Sequence, residues 1–448
     1  MSARFLADQP LEHAAEDELN FAPFIDLLQR ELEGAETPFV YGLLGESGAG
    51  RTSVLRLLEA RLKQTREAGA GALVPIAFNA RLYQNDVNLI YPLLYAVRQA
   101  YQSDRRITAL SGARGFGGMF ARVAATSALA ATDVALRGAT HNVAGAAPPL
   151  KDLREQLEAV RQQPDNLEGI LRAWADTISQ LHTGFEALLG TYAGDLARAD
   201  PRPKVEDIRF AFLVDDLDRC SPETLLSTLE ATRQFLSGRR AIFVIALNAE
   251  RAVQAVARQL RAGADDGRQV LEATLHATAA VPEPAPEQVR QFARQQLQRL
   301  LGDPHSTPPP ALDSAIDSFG QTLADCRIAN PRKIKRLING FVRFLDRNQS
   351  QLEQFPLPNI VRLLVLAEVE PGLFRAYQAD PERVSVELAA LGSPDFSLAA
   401  FEQAHAVRAR AAHPRLSLMR KLFQFEADPD RPGLRQQIDV VAALTRWS

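Results

Sequence analysis

"FVYGLLGESGAGRTSVLRLL", residues 39–58, divides into three parts of different chemistry. Residues 39–44 are a short apolar run and read as a strand. Gly45, Gly48 and Gly50 then make a turn in which backbone N–H groups can fold inward around an anion. Val54, Leu55, Leu57, Leu58 and Leu62 follow at helical spacing. Strand, glycine-rich turn and helix are the parts of a phosphate-binding loop, and the template G-x-x-x-x-G-K-[ST] fits from Gly45 to Thr52 with one exception. Arg51 stands at the lysine position. The residues expected to cradle a nucleotide are Gly45, Glu46, Ser47, Gly48, Ala49, Gly50, Arg51, Thr52 and Ser53. The Thr52 hydroxyl is expected on Mg²⁺, and Arg51 opposite the terminal phosphates.

Further strands are expected on either side of a long interruption. "ALVPIAF" at 72–78 is one, and Pro75 argues that it lies at a sheet edge. "FAFLV" at 210–214 and "AIFVIAL" at 241–247 are apolar without alternation, as in strands covered on both faces of a parallel sheet. Between these two, Ser221 and Pro222 supply an N-cap and a first helical residue. Strands alternating with helices make an α/β doubly wound sheet. Residues 1–83 and 205–283 are therefore assigned to this core.

The interruption, residues 84–204, reads as a helical insertion. Leu167, Ile170, Leu171, Trp174, Ile178, Leu181, Phe185 and Leu188 mark one long helix; Leu153, Leu157 and Val160 mark another before it. The alanine-rich segment 116–136 is broken by Arg122 and Asp133 and is too weak for a membrane span. It is read as a helix packing on protein. Three proline-punctuated helices follow in 284–350, expected to form a helical lid, and 351–448 is a C-terminal helical region.

The second chemical element is "RFAFLVDDLDRC", residues 209–220, an apolar strand running into carboxylates. Strand C-termini line the crevice where α/β sheets bind ligands. Asp215 is placed to hold Mg²⁺ and Asp216 to orient or deprotonate an attacking water. Asn248, at the end of the next strand, is a candidate for contact with the γ-phosphate or that water. "NPRKIKRLINGF" at 330–341 opens a helix with Arg332, Lys333, Lys335 and Arg336 in its first two turns. Three readings stand for it: a solvated basic face, a nucleic-acid phosphate contact, or a lid from which Arg332 reaches the nucleotide.

Bulk properties set limits. A net charge of -3 gives no global field toward nucleic acid or anionic lipid. Two cysteines, Cys220 and Cys326, exclude a disulfide framework and a four-cysteine zinc site, and suit a reducing cytosol. The N-terminal stretch lacks an apolar signal core, so a cytoplasmic protein without membrane contact is expected. The scattered histidines give no metal pair at ligand spacing.

Taken together, these residues resemble the KAP family of P-loop NTPases. "GESGAGRTS" sits at the family's Walker A position, "FLVDDLDRCSPE" is similar to its Walker B segment, and "NPRKIKRLIN" to its lid segment. "FNARLYQNDVNLIYPLL" resembles the segment after the second strand, with Tyr83 kept. The resemblance implies a parallel sheet of order 5-1-4-3-2, ATP and Mg²⁺ as ligands, and hydrolysis that drives a conformational switch on partner proteins. In bacterial members it also suggests anti-phage defence. Two departures are visible: Arg51 for lysine, and Asn248 where the family commonly carries an acid. Arginine keeps the charge but not the shape, so both an ATPase and a nucleotide-binding scaffold with little hydrolysis remain open. A homo-oligomer completing its site in trans is a further expectation, with Arg219, Arg239, Arg240 and Arg251 as candidates.

Overall fold

The structure, a computed structural model, describes residues 5–84, 89–108, 116–124, 167–200, 202–234, 238–301, 310–348, 354–389 and 433–445. The readings on 125–136, on Leu153, Leu157 and Val160, and on 390–432 fall outside these residues. The chain forms two compact units.

The first unit comprises residues 10–14 and 21–281. Five strands, β1 (Phe39–Leu44), β2 (Leu73–Asn79), β3 (Arg209–Asp215), β4 (Ala241–Leu247) and β5 (Ala277–Ala280), make one sheet of order β2-β3-β4-β1-β5. Every pairing is parallel. This is the expected order read from its other edge. β2 is an edge strand pairing only with β3, so Pro75 has no ladder bond to lose. β5 is the strand that the apolar pattern missed. It contains only Ala, Thr, Ala and Ala, and backbone pairing to β1 at Tyr41–Leu44 defines it.

Helices α1 (Ala22–Gly34), α2 (Arg51–Glu67), α3 (Ile90–Ser103), α4 (Leu167–Ala199), α5 (Pro222–Gln234), α6 (Ala249–Leu260) and α7 (Ala264–Thr274) cover the sheet. All seven residues of β4 are buried, which requires cover on both faces because successive side chains point opposite ways. One core combines Ile76 and Phe78 of β2, Phe210 and Phe212 of β3 and Phe243 of β4 with Leu93, Leu94 and Val97 of α3 and Leu181, Phe185 and Leu188 of α4. The rings of Phe212 and Phe243 stack at 4.6 Å, and Tyr192 lies 4.9 Å from Phe210. At about 1.5–3 kcal/mol for each fully buried large apolar side chain, this face carries much of the unit's stability. The insertion helices are thus part of the α/β core. Tyr101 of α3 donates to Asp195 of α4 at 2.6 Å, a buried bond that sets one helix against the other. Separately, Ile25, Leu28 and Leu32 of α1 and Val54, Leu55, Leu58 and Leu62 of α2 are buried, with α2 packed on β2, β3 and β4.

The second unit comprises residues 1–9, 15–20 and 282–448, and its regular elements among the described residues are helices. It contains α8 (Pro286–Leu301), α9 (Pro310–Asp325), α10 (Pro331–Arg347), α11 (Leu357–Val369), α12 (Pro371–Ala379), α13 (Pro381–Ala389) and α14 (Leu434–Thr445). Five of these start at a proline, whose missing N–H would be unpaired in a first turn anyway. Phe319, Phe341 and Phe344 are fully buried and form its aromatic centre. No helix among the described residues is long and apolar enough to cross a membrane.

Candidate functional site

The register brings three strand ends together. Leu44 at the end of β1 pairs with Leu247 at the end of β4, and β3 ends at Asp215 on β4's other side. β1 is also where the topology switches: the chain leaves it for β2 on one side and later returns to its other side as β5. Open α/β sheets bind ligands at such a point, outside the strands' carboxyl ends.

The loop after β1 has the backbone of an anion cradle. Gly45 N–H donates to Leu247 O at 3.1 Å, which ties the start of the loop to β4. Gly48 and Gly50 have φ of 89° and 101°, left-handed values that turn the chain back into α2. Gly50 also lies over the Phe21 ring, and an added Cβ would come within 3.1 Å of it. Glu46, Ser47 and Ala49 make up the rest of the turn, with Ala49 N–H donating to Glu46 O at 3.1 Å. Arg51, Thr52 and Ser53 form the first turn of α2, whose free N–H groups and dipole favour an anion. Ser53 Oγ accepts from Leu11 N–H at 3.1 Å, so the lead-in segment docks on this helix.

Two acids close the site from β3. Thr52, in the first turn of α2, lies close enough to Asp215 at the end of β3 for its hydroxyl to act on the carboxyl, bringing the expected cation-binding pair together. Burial pushes the Asp215 carboxyl above the ordinary carboxylate range; the Thr52 hydrogen bond opposes this, the neighbouring Asp216 charge adds to it, and Asp216 N–H, donating to Asp215 Oδ1 at 2.9 Å, lowers it. Asp216 has a left-handed backbone, φ 57°, a conformation that Asp tolerates better than most residues. Its carboxylate is gripped by Arg219, Nε to Oδ1 at 3.0 Å. A hydroxyl beside a buried carboxylate, on oxygen donors alone, suits Mg²⁺. The residues that would hold a magnesium nucleotide are thus Thr52 and Asp215 for the cation and the loop amides for the phosphates.

Asp218 enters the site although its sequence position gave it no role. It lies in a short 3₁₀ turn, 217–219, with its side chain fully enclosed. Its Oδ2 accepts from both Nη1 and Nη2 of Arg51, at 3.2 and 3.1 Å, and from Asn248 N–H at 3.0 Å. Arg51 itself is buried, only 6% exposed. The signal was present in "DDLDR", but nothing in the spacing says which acid turns toward the loop. Asn248 meets the site through its backbone N–H, while its side chain caps α6, Oδ1 accepting from Arg251 N–H at 2.9 Å. Cys220 follows, its thiol pushed up to about 11 by burial and by Asp216 and Asp218, so it is no reactive nucleophile.

The remaining candidates are the basic cluster of α10 and the arginines considered for a contact in trans. Arg332 is in the first turn of α10, in the helical unit, where its guanidinium pairs with Asp8. Lys335 reaches Gln9 O at 3.4 Å and Arg336 pairs with Glu368 at 3.1 Å, while Lys333 contributes to the field at Glu368. The basic cluster is therefore matched by acceptors of its own unit. Arg219 is held by Asp216, Arg240 donates to Ile208 O at 2.8 Å, and the backbone N–H of Arg239 donates to Glu186.

The model of the KAP family P-loop domain matches residues 21–347. No curated protein matches the sequence. Among solved structures, the ORC1 protein of Aeropyrum pernix, determined in complex with DNA, aligns at a TM-score of 0.35 and 13% identity, over 98% of this chain and 84% of that one. The ORC2 protein of the same organism, determined as ADPNP–ADP complexes, aligns at 0.35 and 14% identity, over 97% and 94%. The matched span holds the phosphate loop, the acidic end of β3 and the helix α10, on a five-stranded parallel sheet of the expected order; the chain belongs to the KAP family of P-loop NTPases.

Proposed function

We propose that the chain binds ATP with Mg²⁺ at the β1–α2 loop and hydrolyses it, using the cycle as a conformational switch on partner proteins. The observation that carries this is the meeting of the phosphate loop with the acidic end of β3, where Arg51 of the loop is bonded to Asp218 and Thr52 lies beside the buried Asp215. Magnesium, when bound, would neutralise charge on the β- and γ-phosphates. The loop amides and the α2 N-terminus hold the phosphates. Asp216, one residue beyond the cation-binding acid and buried, orients the attacking water and accepts its proton. A role in defence against phage is the wider part of the proposal and rests on the family resemblance alone.

The test is steady-state phosphate release from Mg-ATP by the full chain and by Asp216→Asn. A loss of roughly 10²-fold or more is expected; equal rates would sink the assignment. A second reading, nucleotide binding with very slow turnover, is favoured by the burial of Arg51 in an ion pair. It predicts saturable ATP binding with no phosphate release in a single-turnover experiment.

A further inference from the structure

Arg51 is fixed more tightly than a phosphate-seeking side chain needs to be. Its stem runs beside Gly45, where an added Cβ would come within 3.2 Å of Arg51 Cγ. Its guanidinium gives one hydrogen bond from each terminal nitrogen to the same oxygen of Asp218. That oxygen also takes the Asn248 amide from the end of β4, and Asp218 belongs to the turn after β3. One carboxylate thus locks the ends of three strands to one side chain.

Asp218 is a poor device for stability alone. Its other oxygen, Oδ1, is enclosed and has no hydrogen-bond partner. A buried carboxylate with an unpaired oxygen pays a desolvation penalty that a well-packed apolar residue would avoid. The shape of arginine suggests what is gained. Its planar fork carries five donors, of which Asp218 takes two, and the others are left for phosphate oxygens. A lysine held by the same carboxylate would present one compact charge already neutralised by its partner.

We infer that Asp218 is a positioning residue for nucleotide binding, fixing the Arg51 guanidinium so that the free edge of the fork receives the terminal phosphates. This rests on nucleotide binding at the loop as proposed above. In this chain the arginine is then matched to its acid, and lysine at position 51 is the inferior residue.

A mutant cycle read by binding of a fluorescent methylanthraniloyl-ATP with Mg²⁺ to the full chain tests it. Asp218→Asn keeps size and removes charge, and is expected to weaken binding about tenfold. In an Arg51→Met background the same change is expected to cost less than about twofold, because its only route to the nucleotide is gone. An equal loss in both backgrounds overturns the inference, as does no loss in the parent. Circular dichroism establishes that each variant is folded. Where Asp218→Asn does not fold, Arg51→Lys takes its place: weaker binding by about tenfold is expected, and equal or tighter binding overturns the idea. Failure of the underlying reading looks different, because the unaltered chain would then show no saturable signal with the probe.

Discussion

Gly50 and Gly45 are both glycines of one motif, yet they are required for different reasons. At Gly50 the backbone has φ +101°, and an added Cβ would meet Phe21 at 3.1 Å. At Gly45 the need is close approach to the Arg51 stem. Gly50→Ala is expected to cost roughly 2 kcal/mol through backbone strain and the displaced ring. A urea midpoint unchanged from the parent's, at unchanged slope, would contradict this. The template in the sequence located both glycines but not Phe21, since a ring 29 positions upstream leaves no trace in local spacing. Asp218 escaped for a similar reason. Three acids in four residues are equivalent as letters, and only the left-handed turn at Asp216 decides that Asp218 faces Arg51.

At the level of elements, legibility followed side-chain size. β1, β3 and β4 are dense in Phe, Val, Ile and Leu, and their limits in the structure fall within one residue of the apolar runs. β5 has no large side chain and was visible only through its backbone pairing. The long helix α4 was legible from its periodicity, but its attachment was not. It ends at Ala199, and the next residue, Asp200, accepts through its carboxylate from Arg202 at 2.7 and 2.8 Å and pairs with Arg106 at 3.1 Å. Hydrogen bonds from Arg202 hold this carboxyl down to about 2 from the ordinary 3.8. Because the folded value lies below the unfolded one, the pair stabilises the fold fully above pH 3.8 and the contribution disappears as pH falls through about 2. Asp200→Asn is therefore expected to be less stable than the parent at neutral pH and to approach it in acid. Urea titrations across that range check the sign; a difference between the two proteins that grows on acidification would refute it.

For the whole molecule, the boundary between units falls after Val281, while the composition of the sequence placed it after residue 283. Composition registers only that strand signals end near there. It could not show that the insertion helices share the α/β core, since that depends on rings such as Phe185 and Phe212, 5.8 Å apart, meeting across a long separation. Each unit has its own buried aromatic centre, so each is expected to respond to its own perturbation. Phe344 is fully buried in the helical unit, and Phe344→Ala should destabilise it by about 3–5 kcal/mol. Mg-ATP at one hundred times its dissociation constant should stabilise the α/β unit by about 2.7 kcal/mol, because a ligand bound only by the folded form adds its binding free energy to folding. The two effects act on different cores and should be separable by calorimetry: in Phe344→Ala one transition moves down, while the increment from nucleotide on the other is retained. If the variant loses that increment while still folded at the temperature of the nucleotide addition, the units do not unfold independently, and the phosphate loop depends on the helical unit for its binding-competent form.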